Sequence, residues 1–215
     1  MPRSEIFLIR HGIRLDFVSP DWKENAEKPF DPPLADIGLQ QAEDIAGALK
    51  MSGIKAIYSS PYLRAIQTAA ASSHALDIEV RIEPGFGEWL NPGFFTDLPC
   101  LLPPREAVAI CPLIDTAYEP AFVPSSLEPK EEIDVASRVD AVLKTIFHLA
   151  PADSFAIFTH GSPLCQAALK LLGHLDGVDT RMGAITRILR DGDELQLISS
   201  NSDHLRDKDA HLRFH

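Results

Sequence analysis

The hydrophobic pattern divides the chain into strands and helices that alternate. Short continuous apolar runs, typical of strands buried on both faces, occur at residues 6–9 and 155–158. Apolar residues at helical spacing instead mark longer segments such as 131–149. This alternation predicts a mainly parallel sheet between two helical layers, which is a three-layer α/β/α sandwich. The predicted strands are 6–9, 55–59, 78–82, 155–158, 184–189 and 194–199, and the predicted helices are 37–51, 61–72, 131–149 and 163–172.

Proline and acidic residues set the expected boundaries of these elements. Asp36 is expected to cap the helix at 37–51. Pro61 is expected to occupy the first turn of the next helix, where its missing N–H causes no loss. Four prolines exclude a long helix from residues 15–34, so this stretch is predicted to be irregular.

A proline-rich segment interrupts the pattern between residues 83 and 130. Its recurring prolines leave room for a short helix near 105–109. Long segments of this kind are commonly functional lids or disordered linkers, and six aromatic residues make this one too apolar for a linker. We therefore expect a folded lid inserted into a single domain that covers residues 1–215.

Two of the predicted buried strands end in the same dipeptide. Arg10, His11 and Gly12 follow the first strand, and His160 and Gly161 follow the strand at 155–158. Right-handed crossovers place the carboxyl ends of parallel strands at one edge of the sheet, where open α/β sheets bind ligands. An arginine and two histidines at this edge suit a dianionic phosphate and a nucleophilic imidazole. The pattern predicts a phosphatase.

The two histidines are expected to have different roles. His11 is the predicted nucleophile, because covalent capture by a neutral imidazole is an effective route for a very slow hydrolysis. Its other ring nitrogen would be held by an acceptor such as a backbone carbonyl. His160 is expected to donate a hydrogen bond to a phosphate oxygen, or to stabilise the transferring group as a cation.

Three arginines, Arg10, Arg14 and Arg64, are predicted to bind the phosphate. Guanidinium groups bind phosphate oxygens bidentately and stay charged at working pH. The formal net charge of −11 makes such a cluster necessary, because the molecule as a whole repels phosphate esters. Salt screens that repulsion beyond about 8 Å, so that arginines inside a cleft can dominate at contact range.

Glu88 is the predicted general acid. It precedes Trp89, and a carboxyl group beside a large apolar ring can retain the proton that a leaving alkoxide or phenoxide needs. Asp16 and Asp97 are weaker candidates for the same role. No metal and no cofactor is expected.

The composition indicates which partners and which cellular compartment to expect. An acidic chain argues against direct nucleic-acid binding, and no apolar run reaches the ~20 residues of a membrane helix. The amino terminus lacks the features of a secretory signal. Three scattered cysteines without metal-ligand spacing are expected to be thiols, although a pairing of Cys100 with Cys111 stays open. We expect a cytoplasmic protein, with a nuclear location left open.

At these residues the chain resembles the histidine phosphatase superfamily, which includes phosphoglycerate mutases and many phosphatases. Segment 8–12 resembles the superfamily's signature at the end of its first strand. Segments 34–42 and 59–68 resemble its next two blocks, and segment 159–161 resembles the last. The four segments occur in the superfamily's order and span most of the chain.

Within the superfamily the chain is most similar to the branch of the suppressor-of-T-cell-receptor-signalling proteins and ecdysteroid-phosphate phosphatase. Segments 10–17, 83–89 and 103–104 carry this similarity. Ile13 departs from the glutamate often found in the branch, and Gly161 departs from its usual alanine. The resemblance implies that Arg14 joins the phosphate-binding arginines and that Glu88 is the acid.

The residues and the resemblance together predict a metal-independent phosphomonoesterase that forms a phosphohistidine. Its partner would be a phosphorylated small molecule or a phosphotyrosine protein, with an apolar or aromatic leaving group. Alternatively, the aromatic residues only pack the lid's own core. The aromatic residues expected over the site are Phe17, Trp22, Phe30, Trp89, Phe94 and Phe95.

Two other functions stay open from the sequence. A phosphoglycerate mutase would need more cations for a substrate carboxylate, and the lid offers Arg105. A phosphatase-like interaction module is the other alternative, because segment 85–89 is similar to a subunit of transcription factor IIIC. A homodimer is also left open.

Overall fold

A computed structural model describes residues 3–124 and 132–213, which form one six-stranded sheet with helices on both faces. No helix in these two ranges is both long enough and apolar enough to cross a bilayer. The strands are β1 (Arg3–Arg10), β2 (Ala56–Ser59), β3 (Val80–Ile82), β4 (Phe155–Thr159), β5 (Ile185–Asp191) and β6 (Glu194–Asn201). The helices are α1 (Leu15–Val18), α2 (Trp22–Asn25), α3 (Asp36–Leu49), α4 (Leu63–Leu76), α5 (Pro104–Ala107), α6 (Glu132–Leu149), α7 (Gly161–Leu172) and α8 (Ala210–Arg213), with a 3-10 turn at Pro84–Phe86.

The sheet has the strand order β3-β2-β4-β1-β5-β6. The first four strands in this order are parallel, and β5 and β6 are antiparallel to their neighbours. Arg10 on β1 lies opposite Thr159 on β4, so the residues that follow the two strands emerge side by side. The predicted α/β/α class with a mainly parallel sheet is confirmed.

The two faces of the central strands enter two separate apolar cores. Ile6 and Leu8 pack in the core that α6 and α7 cover, whereas Phe7 and Ile9 pack in the core under α3 and α4. Burial on both faces explains why residues 6–9 of β1 are all apolar instead of alternating with polar residues. The same two cores fix the end of β1 relative to the end of β4.

The start of α3 and the start of α4 differ from the sequence prediction. Asp36 is not the cap of α3, because Ala35 holds that position and Asp36 lies within the first turn. There its charge still favours the positive end of the helix dipole. Pro61 precedes α4, which begins at Leu63. The amide of Leu63 donates to Oδ1 of Asp31 at 2.9 Å, so a distant carboxylate satisfies the helix end.

Smaller differences concern the lengths of the elements. The stretch at 15–34 contains two single-turn helices, α1 and α2, instead of being wholly irregular. Helix α4 continues to Leu76, past the expected end at Ser72, and its carboxyl end is closed by Asp77 with φ of 55°. Helix α6 begins at Glu132 in the described residues, and residue 131 lies outside them.

The described part of the predicted lid, residues 83–124, is folded against the edge of the sheet. Ile114 forms a parallel bridge with Val80 on β3. The fully buried carboxylate of Glu83 organises the rest: it accepts hydrogen bonds from the amide of Gly85 and the hydroxyl of Tyr118. It also accepts from the amides at positions 121 and 122. Residues 125–130 of the predicted lid lie outside the described residues, and closure as a lid stays a prediction.

Candidate active site

Two imidazoles and two guanidinium groups meet at the carboxyl ends of β1 and β4. The ring centroids of His11 and His160 are 5.1 Å apart. The Arg64 side chain reaches the same place from the first turn of α4, and Arg10 reaches it from the end of β1. We call these four residues the imidazole–guanidinium cluster. His11, His160 and Arg64 are each 1% exposed or less, so the cluster is screened from bulk water.

The surroundings of His11 leave a lone pair on one of its ring nitrogens. Nδ1 lies 2.7 Å from the carbonyl oxygen of Gly12. A carbonyl only accepts, so Nδ1 carries the proton and Nε2 keeps a lone pair. Nε2 accepts from Nε of Arg64 at 3.2 Å. Burial first, and then the charge of Arg64, hold the pKa of His11 well below its ordinary value, so the imidazole is neutral.

His160 is held in the complementary way. Its Nε2 lies 2.7 Å from Oγ of Ser60, which also accepts from the amide of Tyr62 at 3.3 Å. The Ser60 hydroxyl can therefore donate to Nε2, an arrangement that puts the imidazole proton on Nδ1. Nδ1 lies 3.5 Å from Oε2 of Glu88. Burial first, and then Arg64, hold the pKa of His160 well below its ordinary value.

The cluster contains buried donors that no described residue satisfies. Within residues 3–124 and 132–213, Nε of Arg10, both Nη atoms of Arg64 and Nδ1 of His160 lack a hydrogen-bond partner. Arg10 donates through Nη1 to the carbonyl of Thr180 at 2.5 Å, which fixes its orientation. Buried donors are normally satisfied, so four of them together suit an acceptor-rich anion.

Arg14 lies at the pocket but outside this buried group. Its guanidinium donates twice to the carboxylate of Asp16, at 2.9 and 2.6 Å. It also lies 4.2 Å from the ring centroid of Phe17. Arg14 therefore lines the same pocket as Arg10 and Arg64, with its fork occupied by a carboxylate.

Glu88 lies where the cluster meets the pocket. Oε2 is 3.5 Å from Nδ1 of His160 and 3.6 Å from Nη2 of Arg64, and the side chain is 18% exposed. Oε1 accepts from the amide of Trp89 at 3.0 Å. The competing carboxylates lie elsewhere: that of Asp16 is bound to Arg14, and Asp97 is exposed and accepts from the amide that follows it. The structure brings Glu88, and not Asp97, to the cluster.

A pocket of about 560 Å³ is lined by two members of the cluster, Arg10 and Arg64, and by Glu88. His11 and His160 are not among its lining residues. The rings of Phe30 and Phe95 pack within 5.8 Å of each other on its apolar side. All six aromatic residues expected over the site line it, and we call them the aromatic wall: Phe17, Trp22, Phe30, Trp89, Phe94 and Phe95.

Three side chains of the site also have the chemistry of metal ligands. Ligand atoms of His11, Glu88 and His160 lie within 4.8 Å of one another, close enough to hold a metal ion. The guanidinium groups of Arg10 and Arg64 border the same space, and their charge repels a cation. The electrostatics therefore favour an anion.

The sequence analysis missed three residues that position this site. Ser60 contacts His160, and Asp31 lies 3.8 Å from Nη1 of Arg64 with its pKa raised by burial to about 6. Arg138, on α6, donates to the backbone around Glu88. Ser60 belongs to segment 59–68, which resembles the superfamily, and a role at the site could have been predicted for it. Asp31 contacts a residue 33 positions away, and Arg138 contacts a residue 50 positions away. Local sequence patterns do not predict contacts at such separations.

Comparisons with known proteins agree with this geometry. The family model described as "Histidine phosphatase superfamily (branch 1)" matches residues 6–203. Ubiquitin-associated and SH3 domain-containing protein A of Homo sapiens is 31% identical over 207 residues, covering 80% of this chain and 31% of its own length. Ecdysteroid-phosphate phosphatase of Bombyx mori is 23% identical over 238 residues, covering 90% of this chain and 32% of its own length.

A solved structure shares this fold. The crystal structure of the Bombyx mori ecdysone phosphate phosphatase with tungstate matches with a TM-score of 0.71 and 19% identity, covering 91% of this chain and 92% of that one. The chain spans about a third of the length of the curated relatives it matches. The expected resemblance, including that to the suppressor-of-T-cell-receptor-signalling and ecdysteroid-phosphate phosphatase branch, is confirmed. With the family model covering nearly all of its residues, the chain belongs to the histidine phosphatase superfamily.

Proposed function

We propose that this domain is a phosphomonoesterase that transfers the phosphoryl group to His11. One observation carries the proposal: Nε2 of His11, held as the lone-pair nitrogen, lies among buried guanidinium and imidazole nitrogens that have no hydrogen-bond partner within residues 3–124 and 132–213. A phosphoryl group supplies the three acceptor oxygens that these donors lack.

In the first step, Nε2 of His11 attacks phosphorus and the bond to the ester oxygen breaks. Arg10, Arg64 and Nδ1 of His160 hold the three phosphoryl oxygens as charge develops on them. Glu88, in its protonated form, gives its proton to the leaving oxygen. The products are a phosphohistidine and the free alcohol or phenol.

In the second step, water attacks the phosphohistidine from the side that the leaving group vacated. Glu88, now a carboxylate, takes a proton from this water, and the bond between phosphorus and Nε2 breaks. Inorganic phosphate leaves, and His11 returns to its neutral state. Arg14 joins the phosphate ligands in this scheme by exchanging Asp16 for a phosphoryl oxygen.

The aromatic wall indicates the substrate class. The part of the substrate beyond the ester oxygen would occupy a pocket whose sides are mainly aromatic, which favours an apolar or aromatic leaving group. The name of one relative says that it acts on an ecdysteroid phosphate. The substrate that we propose is therefore a phosphorylated small molecule of this kind or a phosphotyrosine protein.

The test is hydrolysis of phenyl phosphate with and without EDTA. We expect turnover that EDTA does not reduce, and loss of at least about 10⁴-fold in kcat for His11→Ala. His74→Ala, at an exposed position of α4, is the matched control and keeps full activity. An acid-labile phosphate on His11 after rapid quenching identifies the intermediate. Turnover that survives His11→Ala, or that requires a metal, contradicts the proposal.

The mutase alternative is less well supported by the pocket. Arg105, the cation expected from the lid, is exposed on α5 and is not among the pocket's lining residues, whereas Lys23 is. Incubation with 3-phosphoglycerate and its bisphosphate separates a mutase from a hydrolase. An interaction module would instead show negligible ester hydrolysis together with stoichiometric partners on purification.

A further inference from the structure

The loop that carries Glu88 is held through its backbone by one arginine. Arg138, on α6, donates from Nη1 to the carbonyls of Pro84 and Gly85 at 3.3 and 2.6 Å. From Nη2 it donates to the carbonyls of Gly87 and Glu88 at 2.6 and 3.1 Å. A single guanidinium therefore binds both ends of this loop.

Thr159 supplies the remaining contact. Its Oγ1 donates to the carbonyl of Phe86 at 2.7 Å. Every carbonyl from position 84 to position 88 therefore accepts a hydrogen bond from either Arg138 or Thr159. Thr159 directly precedes His160, so the same loop is tied to the strand that delivers an imidazole to the site.

Gly85 lets the loop lie this close to α6, and Gly87 lets the loop fold tightly on itself. A Cβ at Gly85 would come within 2.3 Å of the Val142 side chain. A Cβ at Gly87 would lie 3.1 Å from the carbonyl oxygen of Pro84, which Arg138 binds. The glycines thus keep the carbonyls accessible to the guanidinium.

We propose that Arg138 is a positioning residue for the general acid. This inference rests on the proposed function. Oε1 of Glu88 is bound by the amide of the next residue, so the place of Oε2 beside His160 and Arg64 follows from the backbone that Arg138 holds. Misplacement of a reacting group by about 1 Å can reduce the rate by about 10²-fold.

Arginine is suited to this role in a way that lysine is not. Its planar fork presents five N–H donors, and the four on the two Nη atoms are directed here at four carbonyls, whereas an ammonium is a single point charge. Burial lowers the pKa of Arg138 to about 10, which leaves the group charged at neutral pH. Replacing Arg138 by lysine is therefore expected to lose the hydrogen bonds to the loop and is not a conservative change.

The experiment compares two esters that differ in their need for an acid. Phenoxide needs a proton to leave phenyl phosphate, whereas nitrophenoxide leaves p-nitrophenyl phosphate without one. We expect Arg138→Met to lower kcat about 10²-fold on phenyl phosphate and less than about 5-fold on the nitrophenyl ester. Lys144→Met, at an exposed position of the same helix, is the matched control and lowers neither rate. A merely structural role would lower both rates equally and would overturn the proposal.

A double variant tests the link to Glu88. Glu88→Gln should show the same selectivity between esters, and adding Arg138→Met to it should lower kcat little further, because both changes remove one function. Losses that multiply would overturn the proposal. If Arg138→Met does not fold, Thr159→Val removes the other tether with little change of shape. It should reduce turnover of phenyl phosphate selectively, by about 10-fold. Equal losses of turnover on both esters in Thr159→Val would contradict the positioning role of Arg138.

A structural readout separates this inference from the proposed function. If the wild-type domain hydrolyses neither ester, the phosphatase proposal fails, and the crystal structure of Arg138→Met decides the positioning claim alone. Displacement of Oε2 of Glu88 from Nδ1 of His160 supports the claim. An unchanged contact of about 3.5 Å overturns it.

Discussion

The imidazole–guanidinium cluster contributes Arg10 and Arg64 to the pocket that the aromatic wall also lines, and the two regions are built in opposite ways. The cluster comes from strand ends and the start of a long helix, and His11, Arg64 and His160 are almost completely buried. The wall comes from connecting segments at 17–30 and 89–95, and Phe94 is 72% exposed. The difference indicates that the group to be transferred is recognised by a fixed geometry, and the rest of the substrate by an adaptable surface.

Hydrogen bonding shows the same contrast. In the cluster, Gly12 and Ser60 each hold one imidazole nitrogen and so determine where the proton lies. In the wall, Nε1 of Trp22 donates to the carbonyl of Pro29 at 3.3 Å, whereas ring contacts such as that between Phe30 and Phe95 tolerate changes of angle. Substitutions in the cluster should therefore act on kcat, and substitutions in the wall should act on KM.

Among the substitutions that compare the cluster with the wall, the largest effect is expected for Arg64→Lys. The change keeps a positive charge but loses the fork whose three nitrogens face His11, Asp31 and Glu88. Since removal of one transition-state donor typically reduces kcat by 10²–10³, we expect a loss of about 10³-fold on phenyl phosphate. Arg105→Lys on the exposed surface of α5 is the control and should be neutral. A loss below about 10-fold would mean that the cluster tolerates imprecise geometry, as we expect of the wall.

The same contrast explains what the sequence could and could not predict. Arg10 and His11 end a buried strand, and His160 ends another, so the rule for parallel strand ends places them together before any coordinates are known. The helix starts were less predictable. Asp36 looked like a cap by local pattern, whereas Asp31, which caps α4, is 32 residues away from the amide that it binds.

The long-range contacts that residues make were not predictable, for the same reason. Ser60 reaches His160 across 100 residues, and Glu83 organises the inserted segment from the end of β3. These are side-chain contacts fixed by tertiary packing, and neither hydrophobic periodicity nor turn chemistry encodes them. The aromatic wall was predictable as a group, because its rings come from two segments of the chain. Which rings contact each other within it was not predictable.

Asp31 joins the two regions, and its titration should be visible in stability. It lies between wall residue Phe30 and pocket-lining Pro32, with its carboxylate toward Arg64. Burial raises its pKa from 3.8 to about 6. The folded protein therefore binds more protons than the unfolded chain between these values, and this contribution lowers the free energy of unfolding as the pH rises through the window.

His11 and His160 contribute with the opposite sign. Their pKa values in the folded protein lie well below 6.5, so the unfolded chain binds more protons below that pH. Stability from the neutral imidazoles is present above about pH 6.5 and is lost as the pH falls. The two effects oppose each other over the same range.

Asp31→Asn should separate them. The amide oxygen of the asparagine can still accept from the amide of Leu63. The Asp31 carboxyl, whose titration lowers the free energy of unfolding as the pH rises, is absent. The free energy of unfolding should therefore rise more steeply from pH 4 to pH 6.5 than in the wild type. Relative to wild type, the variant should gain on the order of 2–3 kcal/mol between pH 4 and pH 7, measured by urea unfolding. Asp97→Asn is the exposed control, with curves parallel to wild type. Parallel curves for Asp31→Asn would contradict the burial argument.

Ser60→Ala tests whether the proton position in the cluster matters. Without the hydroxyl, Nε2 of His160 loses its described partner, and the proton is no longer directed to Nδ1. We expect kcat to fall about 10–30-fold with KM nearly unchanged, and ¹⁵N chemical shifts of the ring to show mixed tautomers. Ser59→Ala removes a neighbouring hydroxyl that donates to a backbone carbonyl and should leave the imidazole shifts unchanged. An unaltered tautomer of His160 in Ser60→Ala would show that Ser60 does not determine the position of the imidazole proton.

The smallest effect is expected in the wall, from Phe94→Ala combined with Phe95→Ala. Phe94 is largely exposed, so a substrate ring regains only part of the apolar contact that a fully buried phenylalanine would give. We expect KM for phenyl phosphate to rise about 3–10-fold while kcat stays within about 2-fold, because contact with the leaving group is equal in the ground and transition states. Glycerol phosphate, which has no ring, is the matched substrate control and should show no change. A fall in kcat for the ring substrate alone would mean that the wall orients the ester oxygen toward Glu88, and the division between a fixed cluster and an adaptable wall would then be wrong.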